Sequence, residues 1–273
     1  MAKVKAARVT RSEAIVVRKC AEVHDLRACV AIQKEVWQFD DADLVPLRVF
    51  VVALKIGGQV IGAFERGDLV GFVFSLPGTR GGHSYLHSHM LAVRQQHRNL
   101  GLGRRLKLAQ REEALARKID LIEWTFDPLE IKNAYLNIAR LGAIARTYSV
   151  NHYGASSSPL QGGLPTDRLV AEWWLRSRRV QRVLEGREEQ LRAETTIEVP
   201  GEIYSWKAAA RTRKRAGQVQ LRNRKAFLAA FSQGLTVLGY ERDAEGSGKF
   251  LLGRWDEAWS YGPRDLENEG QIE

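Results

Sequence analysis

Hydrophobic residues recur at two different spacings along this chain, and the spacing predicts which segments are strands and which are helices. Short β-branched and aromatic runs predict strands at 14–20, 59–65, 69–76, 84–93, 121–126, 143–150 and 168–175. Apolar positions three or four residues apart predict helices at 21–37, 103–118 and 129–142. The pattern therefore predicts an α+β unit that opens on a strand and a helix and contains a β-hairpin.

Two kinds of segment between these elements are less regular. Pro46 can open a short helix that ends at Gly57, although the β-branched run 49–52 favours a strand; we expect the helix. The run 151–167 is rich in Gly, Ser and Pro and predicts a long loop, and 77–83 predicts a shorter one. Loops of this kind form most binding pockets, so we expect both to shape a binding pocket.

The character of the chain changes after residue 176. Basic helical patterns cover 177–192 and 205–234, where Gly217 could interrupt the second, and short strands follow at 235–242 and 249–255. A hairpin this short is not stable alone, so we expect it to pack on the first unit or on a second subunit of a homodimer. The predicted organisation is a domain at 1–176, an extension packed on it at 177–264, and an acidic, disordered tail at 265–273.

Composition narrows the class of protein. The 273 residues are 44% hydrophobic, which is enough for a core, and no apolar run reaches the roughly 18 residues that a membrane helix needs. The basic N-terminus has no apolar segment behind it, and Cys20 and Cys29 form no disulfide or zinc pattern, so we expect a cytoplasmic protein. The formal net charge of +10 predicts attraction to nucleic acid or to a ligand with several phosphates.

The segment RNLGLG, residues 98–103, lies between a predicted strand and a predicted helix. The first N–H groups of a helix have no partner inside it, and glycines let an anion approach the backbone, so this junction predicts a diphosphate site. A Walker loop is excluded because Arg104 and Arg105 follow Gly103 where Lys and Ser or Thr are required. A dinucleotide fingerprint is excluded because Leu106 stands at its third glycine position.

A third kind of diphosphate loop fits this segment. The sequence resembles the GNAT acyltransferase superfamily, whose acyl-CoA loop reads Arg/Gln-x-x-Gly-x-Gly/Ala after a strand that ends in Leu-Ala-Val; here Leu91–Val93 stands five residues before Arg98. Residues 14–176 follow the superfamily's order of strands and helices, and 132–143 resembles its second CoA-side helix. The resemblance implies a GNAT-like mixed, mostly antiparallel sheet flanked by helices, to which the C-terminal helices and hairpin are added.

The resemblance also implies what the site binds and does. The cosubstrate would be acetyl-CoA or another acyl-CoA, without a metal, and an amine would attack the thioester carbonyl directly. A backbone N–H near Leu91–Val93 would hold the carbonyl oxygen where the fourth and fifth strands separate. The residues implied in cofactor binding are Leu91, Ala92, Val93, Arg98, Asn99, Leu100, Gly101, Leu102, Gly103, Arg104 and Asn133.

One position departs from the superfamily. Many members have a tyrosine four residues before the helix-ending glycine, here Gly142, and that tyrosine protonates the departing CoA thiolate. This chain has Ile138 at that position, and Tyr135, one turn earlier, is the candidate replacement. The missing tyrosine keeps a second hypothesis open, which is a CoA-binding or polyanion-binding module that has the fold without the catalysis.

The base that takes a proton from the acceptor ammonium is expected on the strands that line the cleft. His87 and His89 alternate along one strand, and the alternation predicts that both share a face with Leu91. Histidine suits the role because its ordinary pKa lies near neutrality, and Glu123 on the next strand is the third candidate. The alternative is that a histidine belongs to the half-buried face of the sheet and that Glu123 pairs with an arginine.

The basic residues after 175 form the other candidate surface. They are Arg176, Arg178, Arg179, Arg182, Arg187 and Arg192, followed by Arg211, Arg213, Lys214, Arg215, Arg222, Arg224 and Lys225. Such clusters are compatible with nucleic-acid binding. However, Glu185 and Glu194 reduce the charge of the first group, and no aromatic residue interleaves the second to stack bases. We therefore expect solvated helix faces or a contact with an acidic partner or with the 3′-phosphate of CoA, and not nucleic-acid binding.

Overall fold

The structure is a computed structural model that describes residues 15–187 and 191–262. Its strands are β1 (Ile15–Lys19), β2 (Gln59–Glu65), β3 (Asp68–Arg80), β4 (His83–Val93), β5 (Leu121–Phe126), β6 (Ile144–Ser149), β7 (Arg168–Trp174), β8 (Thr195–Val199), β9 (Thr236–Arg242) and β10 (Gly248–Gly253). They form one sheet in the order β1-β2-β3-β4-β5-β7-β6-β9-β10-β8, in which only β4 and β5 are paired in parallel within the described ranges. The predicted α+β class with a mostly antiparallel sheet is confirmed.

Helices cover both faces of this sheet. They are α1 (Val23–Trp37), α2 (Leu47–Lys55), α3 (Leu102–Ala116), α4 (Ile131–Ala134), α5 (Arg178–Leu184), α6 (Ile203–Ala208) and α7 (Arg213–Ser232). Helices α1 and α2 pack on one face of β2, β3 and β4, and α3 packs on the other face of these strands. Helices α4 and α7 lie on the same side of the sheet as α3, over β5, β7 and β6. We call these two faces the α2 face and the α3 face. The helix predicted after Pro46 is confirmed, because α2 buries Phe50 and Ala53, three residues apart.

The C-terminal region continues the same sheet. Strand β9 lies next to β6, where Ala145 is paired with Val237, and β10 and β8 follow outward. Helix α7 packs over this end, and Phe227 stacks on Tyr148 of β6 with ring centroids 5.6 Å apart. The hairpin that is too short to be stable alone therefore contributes to a continuous core.

Several of the predicted ends of strands, helices and loops are wrong. The loop expected at 77–83 is mostly strand, because β3 runs to Arg80 and the turn consists of Gly81 and Gly82, both with positive φ. The helix expected at 177–192 ends at Leu184, and residues 188–190 lie outside the described chain. The helix at 205–234 is two helices, broken at 209–212 and not at Gly217. Strand β8 was not predicted, and the acidic tail lies beyond the described residues.

The face predicted for the two histidines of β4 is also wrong. The pairing of β3 with β4 shifts register between Phe74 and Ser75, so that His89 is the extra residue of a β-bulge. Beyond the bulge, Leu91 packs toward α3. His89 instead contacts Phe74, which packs on the α2 face, with ring centroids 6.0 Å apart. Since a bulge inverts the alternation, the histidines and Leu91 point to opposite faces.

Candidate active site

The sheet opens into a cleft between β4 and β5. These strands pair only at two positions, where Leu86 lies opposite Ile122 and His87 lies opposite Glu123. Beyond this vertex they diverge, and no strand of the described ranges pairs with the β5-facing edge of residues 88–93. The cleft therefore offers unpaired backbone N–H and C=O groups to an extended ligand, as the edge of any sheet does.

The predicted diphosphate loop lies at the open end of this cleft. Asn99 and Gly101 both have left-handed φ, 63° and 74°, so the chain turns sharply before α3 begins. Arg98 fixes the turn, because its Nε donates to the backbone oxygen of Val93 at 3.2 Å. The first turn of α3 contains no acidic residue and no side-chain cap, so its N–H groups remain open to an anion.

Two arginines face each other beside this helix terminus. The Nε of Arg104 donates to the backbone oxygen of Arg140 at 3.4 Å. Burial and then the charge of Arg140 lower the pKa of Arg104, since neither guanidinium has a carboxylate partner in the described chain. Arg140 was not predicted from the sequence. It could have been found from its position two residues before Gly142, because that position ends the helix that resembles the superfamily's CoA-side helix.

The helix across the cleft, α4, continues from Ala134 as a π-helix over Tyr135–Arg140. A Cβ added to Gly103 would lie 3.6 Å from Leu136 and 3.7 Å from Leu91, so this glycine marks where α3, the π-helix and β4 meet. Asn133 is exposed on α4, one turn before Leu136. Leu100 and Leu102 support the loop from below by packing with the apolar layer under α3.

Tyr135, the candidate replacement for the missing tyrosine, lies against the C-terminal hairpin. The guanidinium of Arg242 on β9 is 5.5 Å from its ring centroid. Ile138, at the position where the superfamily has its tyrosine, is fully buried in the core. Ile138 has no proton to donate, and Tyr135 contacts β9.

The candidate bases lie on the α2 face of the vertex. Glu123 is 5% exposed and its Oε1 accepts from Nη2 of Arg80 at 2.8 Å, so the expected pairing with an arginine is present. His87 lies beside Glu123 in register. Burial lowers the pKa of His87 to about 4, against the opposing charge of Glu123, and burial also lowers the pKa of His89. Both imidazoles are therefore neutral at pH 7 and able to accept a proton.

The loop 150–167 and the segment that connects α1 with α2 meet above this face. The hydroxyl of Tyr153 bonds Thr125 Oγ1 of β5 at 2.8 Å, which holds the loop 150–167 over the end of β5. The same loop reaches the end of α1, where Ser158 Oγ donates to the backbone oxygen of Trp37 at 2.8 Å and Ser157 Oγ donates to Asp43. The α2 face of the cleft is therefore bridged by these loops, whereas the α3 face opens toward the diphosphate loop.

This geometry agrees with the comparisons with known proteins. Residues 24–133 match the family model described as Acetyltransferase (GNAT) family, which supports membership of the GNAT superfamily. The predicted resemblance to that superfamily is confirmed. No curated protein matches the chain.

Several solved structures of acetyltransferases are similar in fold to more than half of the chain. The ribosomal-protein-S18-alanine N-acetyltransferase from Escherichia coli is 16% identical over 58% of this chain and 92% of its own, with a TM-score of 0.47. The ribosomal-protein-alanine N-acetyltransferase from Brucella melitensis is 22% identical over 57% and 98%, with a TM-score of 0.46. A GNAT acetyltransferase from Elizabethkingia anophelis with acetyl-CoA bound is 13% identical over 59% and 99%, with a TM-score of 0.43.

In the part of the chain that the structure describes, no helix is long and apolar enough to cross a membrane. Over the same residues, no three His, Cys, Asp or Glu side chains are grouped so that they could hold a metal ion.

Proposed function

We propose that this protein is an acyl-CoA-dependent N-acyltransferase that transfers an acyl group, acetyl in the simplest case, from CoA to an amine. The observation that carries the proposal is the cleft between β4 and β5, which ends at the uncapped N-terminus of α3 and the loop 98–103. An extended thioester with a diphosphate at one end matches this combination of an unpaired strand edge and an anion site.

The cofactor would be held by three parts of the site. The N–H groups of Leu102, Gly103 and Arg104, with the guanidinium groups of Arg104 and Arg140, would bind the diphosphate. The edge of β4 from Leu91 through Ala92 to Val93 would bind the pantetheine amides, in the manner of an added strand. Asn133, exposed on α4, would contact the cofactor from the opposite side.

The chemistry would take place where the acyl carbonyl meets the α2 face. The amine nitrogen attacks the carbonyl carbon, and a backbone N–H of β4 stabilises the developing oxyanion. Neutral His87 would take the ammonium proton, and the adjacent Glu123 carboxylate would stabilise the imidazolium that forms. His89, displaced by the bulge, lies next to His87 with ring centroids 6.2 Å apart and is the second proton acceptor on that face.

The bridged α2 face favours a small amine as the acceptor. The bonds from Ser158 to Trp37 and from Ser157 to Asp43 join two loops above the vertex, so an acceptor must enter beneath them. A small amine, or a single extended side chain that carries an amine, fits beneath these loops more easily than a folded protein surface does.

The test is turnover. Acetyl-CoA is incubated with a panel of small amines and of peptides, and released CoA thiol is measured. We expect release with at least one small amine and a loss of about 10²–10⁴-fold in kcat for His87→Gln if that residue accepts the proton. Acetyl-CoA binding without turnover on any amine would instead support the non-catalytic CoA-binding module, which the buried Ile138 and the Arg80–Glu123 pair favour.

A further inference from the structure

A lysine without a carboxylate partner is buried at the vertex of the cleft, on the α3 face. Lys107 of α3 is 3% exposed, and its Nζ donates to Ser88 Oγ at 3.0 Å and to Gln110 Oε1 at 2.8 Å. The same nitrogen lies 3.6 Å from the ring centroid of Trp124. No carboxylate of the described residues bonds to it, although buried cations are ordinarily paired because burial disfavours charge. Burial accordingly lowers the pKa of Lys107 well below its ordinary value.

Neutral groups hold this lysine in place. Gln110, which accepts from Lys107, also accepts at its backbone oxygen from Nε2 of Gln59 at 3.2 Å. Gln59 in turn accepts from Ser75 Oγ at 3.1 Å, and Ser75 is paired with Ser88 across β3 and β4. All of these side chains are buried. The amine is therefore fixed in position by neutral acceptors, so that no carboxylate of the described residues competes with an anion for it when it is protonated.

Lys107 contacts both strands at the point where β4 and β5 begin to separate. Ser88 directly follows His87, the last residue of β4 that is paired with β5. Trp124 directly follows Glu123, the last residue of β5 that is paired with β4. His87 and Glu123, the titratable groups at this level of the two strands, lie on the opposite face of the sheet.

We propose that Lys107, acting through Ser88, stabilises and protonates the CoA thiolate as it leaves the acyl group. The inference rests on the proposed function, which places the thioester in this cleft, and it supplies the proton donor that Ile138 and Tyr135 do not. Ser88 is the group that touches sulfur; Lys107 is the positioning residue that supplies the charge and the proton behind it.

The step is balanced as follows. The amine nitrogen bonds to the carbonyl carbon, the C–S bond breaks, and its electron pair remains on sulfur. The hydroxyl of Ser88 donates its proton to the thiolate while the ammonium of Lys107 donates one to Ser88 Oγ, which leaves a neutral amine that the buried site favours. The acceptor nitrogen loses two protons on the α2 face: the ammonium gives one to His87 before it attacks, and the adduct gives one to His89 as the amide forms. Solvent removes both protons from the histidines and restores the ammonium of Lys107 after the products depart.

The experiment needs no acceptor, because free CoA is the product of the reaction. CoA is bound to the full-length wild-type protein and to Lys107→Met, and ionisation of its thiol is followed with pH by the ultraviolet absorbance of the thiolate. We expect the thiol pKa of bound CoA to lie about 1–3 units below that of free CoA in the wild type and to return toward the free value in Lys107→Met. Lys107→Arg, which keeps the charge, should retain part of the shift, and Lys118→Met, at an exposed lysine that follows α3, should behave as the wild type.

The outcomes separate this inference from the proposed function. Wild-type protein that binds no CoA would overturn both. Wild-type protein that binds CoA without lowering the pKa of its thiol, or Lys107→Met protein with an unchanged thiol pKa, would overturn the role of Lys107 alone. A folded Lys107→Met protein that no longer binds CoA would also overturn it, because the inference assigns this residue to the sulfur and not to affinity.

Discussion

Burial of His87 predicts a specific dependence of stability on pH. The pKa of His87 is about 4 in the folded protein against an ordinary value of 6.5. In the window between these values the unfolded chain binds a proton that the folded protein does not, so stability is complete above about pH 6.5 and falls as the pH is lowered toward 4. At 1.36 kcal/mol per unit, protonation of this one side chain removes about 3 kcal/mol of stability, most of it by about pH 4.5.

The assay is denaturant unfolding of the wild type and of His87→Gln at about pH 7.5 and pH 4.5. Other groups titrate in the same window, and subtraction of the variant isolates the contribution of His87. We expect the wild type to lose about 2–3 kcal/mol more than His87→Gln between the two pH values. Equal losses in both proteins would refute the reasoning, because they would show that His87 accepts a proton as easily in the folded protein as in the unfolded chain.

Two further predictions concern the two ends of the site. Arg140→Gln should raise the Kd for acetyl-CoA roughly tenfold, because one charge-assisted contact to phosphate is lost. The control is Arg182→Gln, at an exposed position of α5, which should leave the Kd unchanged. Calorimetric titration measures both. Ser157→Ala removes the hydroxyl bond to Asp43, although the backbone N–H bond to the same carboxylate remains, and should raise KM for the acceptor while the Kd for acetyl-CoA stays the same. If Ser157→Ala altered the acetyl-CoA affinity instead, the loops would not lie on the acceptor side.

The local elements of the fold were predictable where a segment's own pattern decides its structure. Strand β5 occupies 121–126 as predicted, because a short apolar run between polar breakers has few other places in a core. Gly217 did not interrupt α7, since a glycine costs only about 1 kcal/mol in a helix and the neighbouring Ala216 and Val219 are buried. Burial of that helix face therefore outweighed the local preference.

The bulge in β4 and the buried lysine were not predictable in the same way. The bulge depends on how β3 pairs with β4, a contact between distant residues, and it decides which face His89 occupies. Lys107 did leave a signal: it and Gln110 lie one and four residues after Leu106, within the stripe of α3 that is buried. Two polar residues at core positions of one helix indicate a buried polar network, but only the structure shows that the network lies at the vertex of the cleft.

The central claim is that the loop 98–103 binds the diphosphate of acyl-CoA. It is tested most directly by the rise in melting temperature that acetyl-CoA causes in the wild type, in Gly101→Glu and in the matched control Gly67→Glu. Both glycines have positive φ and open space where a side chain would project, so both variants carry a comparable backbone strain and the same change of charge.

At 100 times its Kd, acetyl-CoA should stabilise the wild type and Gly67→Glu by about 2.7 kcal/mol, or roughly 5–10 °C. Gly101→Glu should show no rise, because a carboxylate beside the N-terminus of α3 repels the diphosphate. An equal rise in all three proteins, or none in the wild type, would contradict the claim that this loop is the acyl-CoA site.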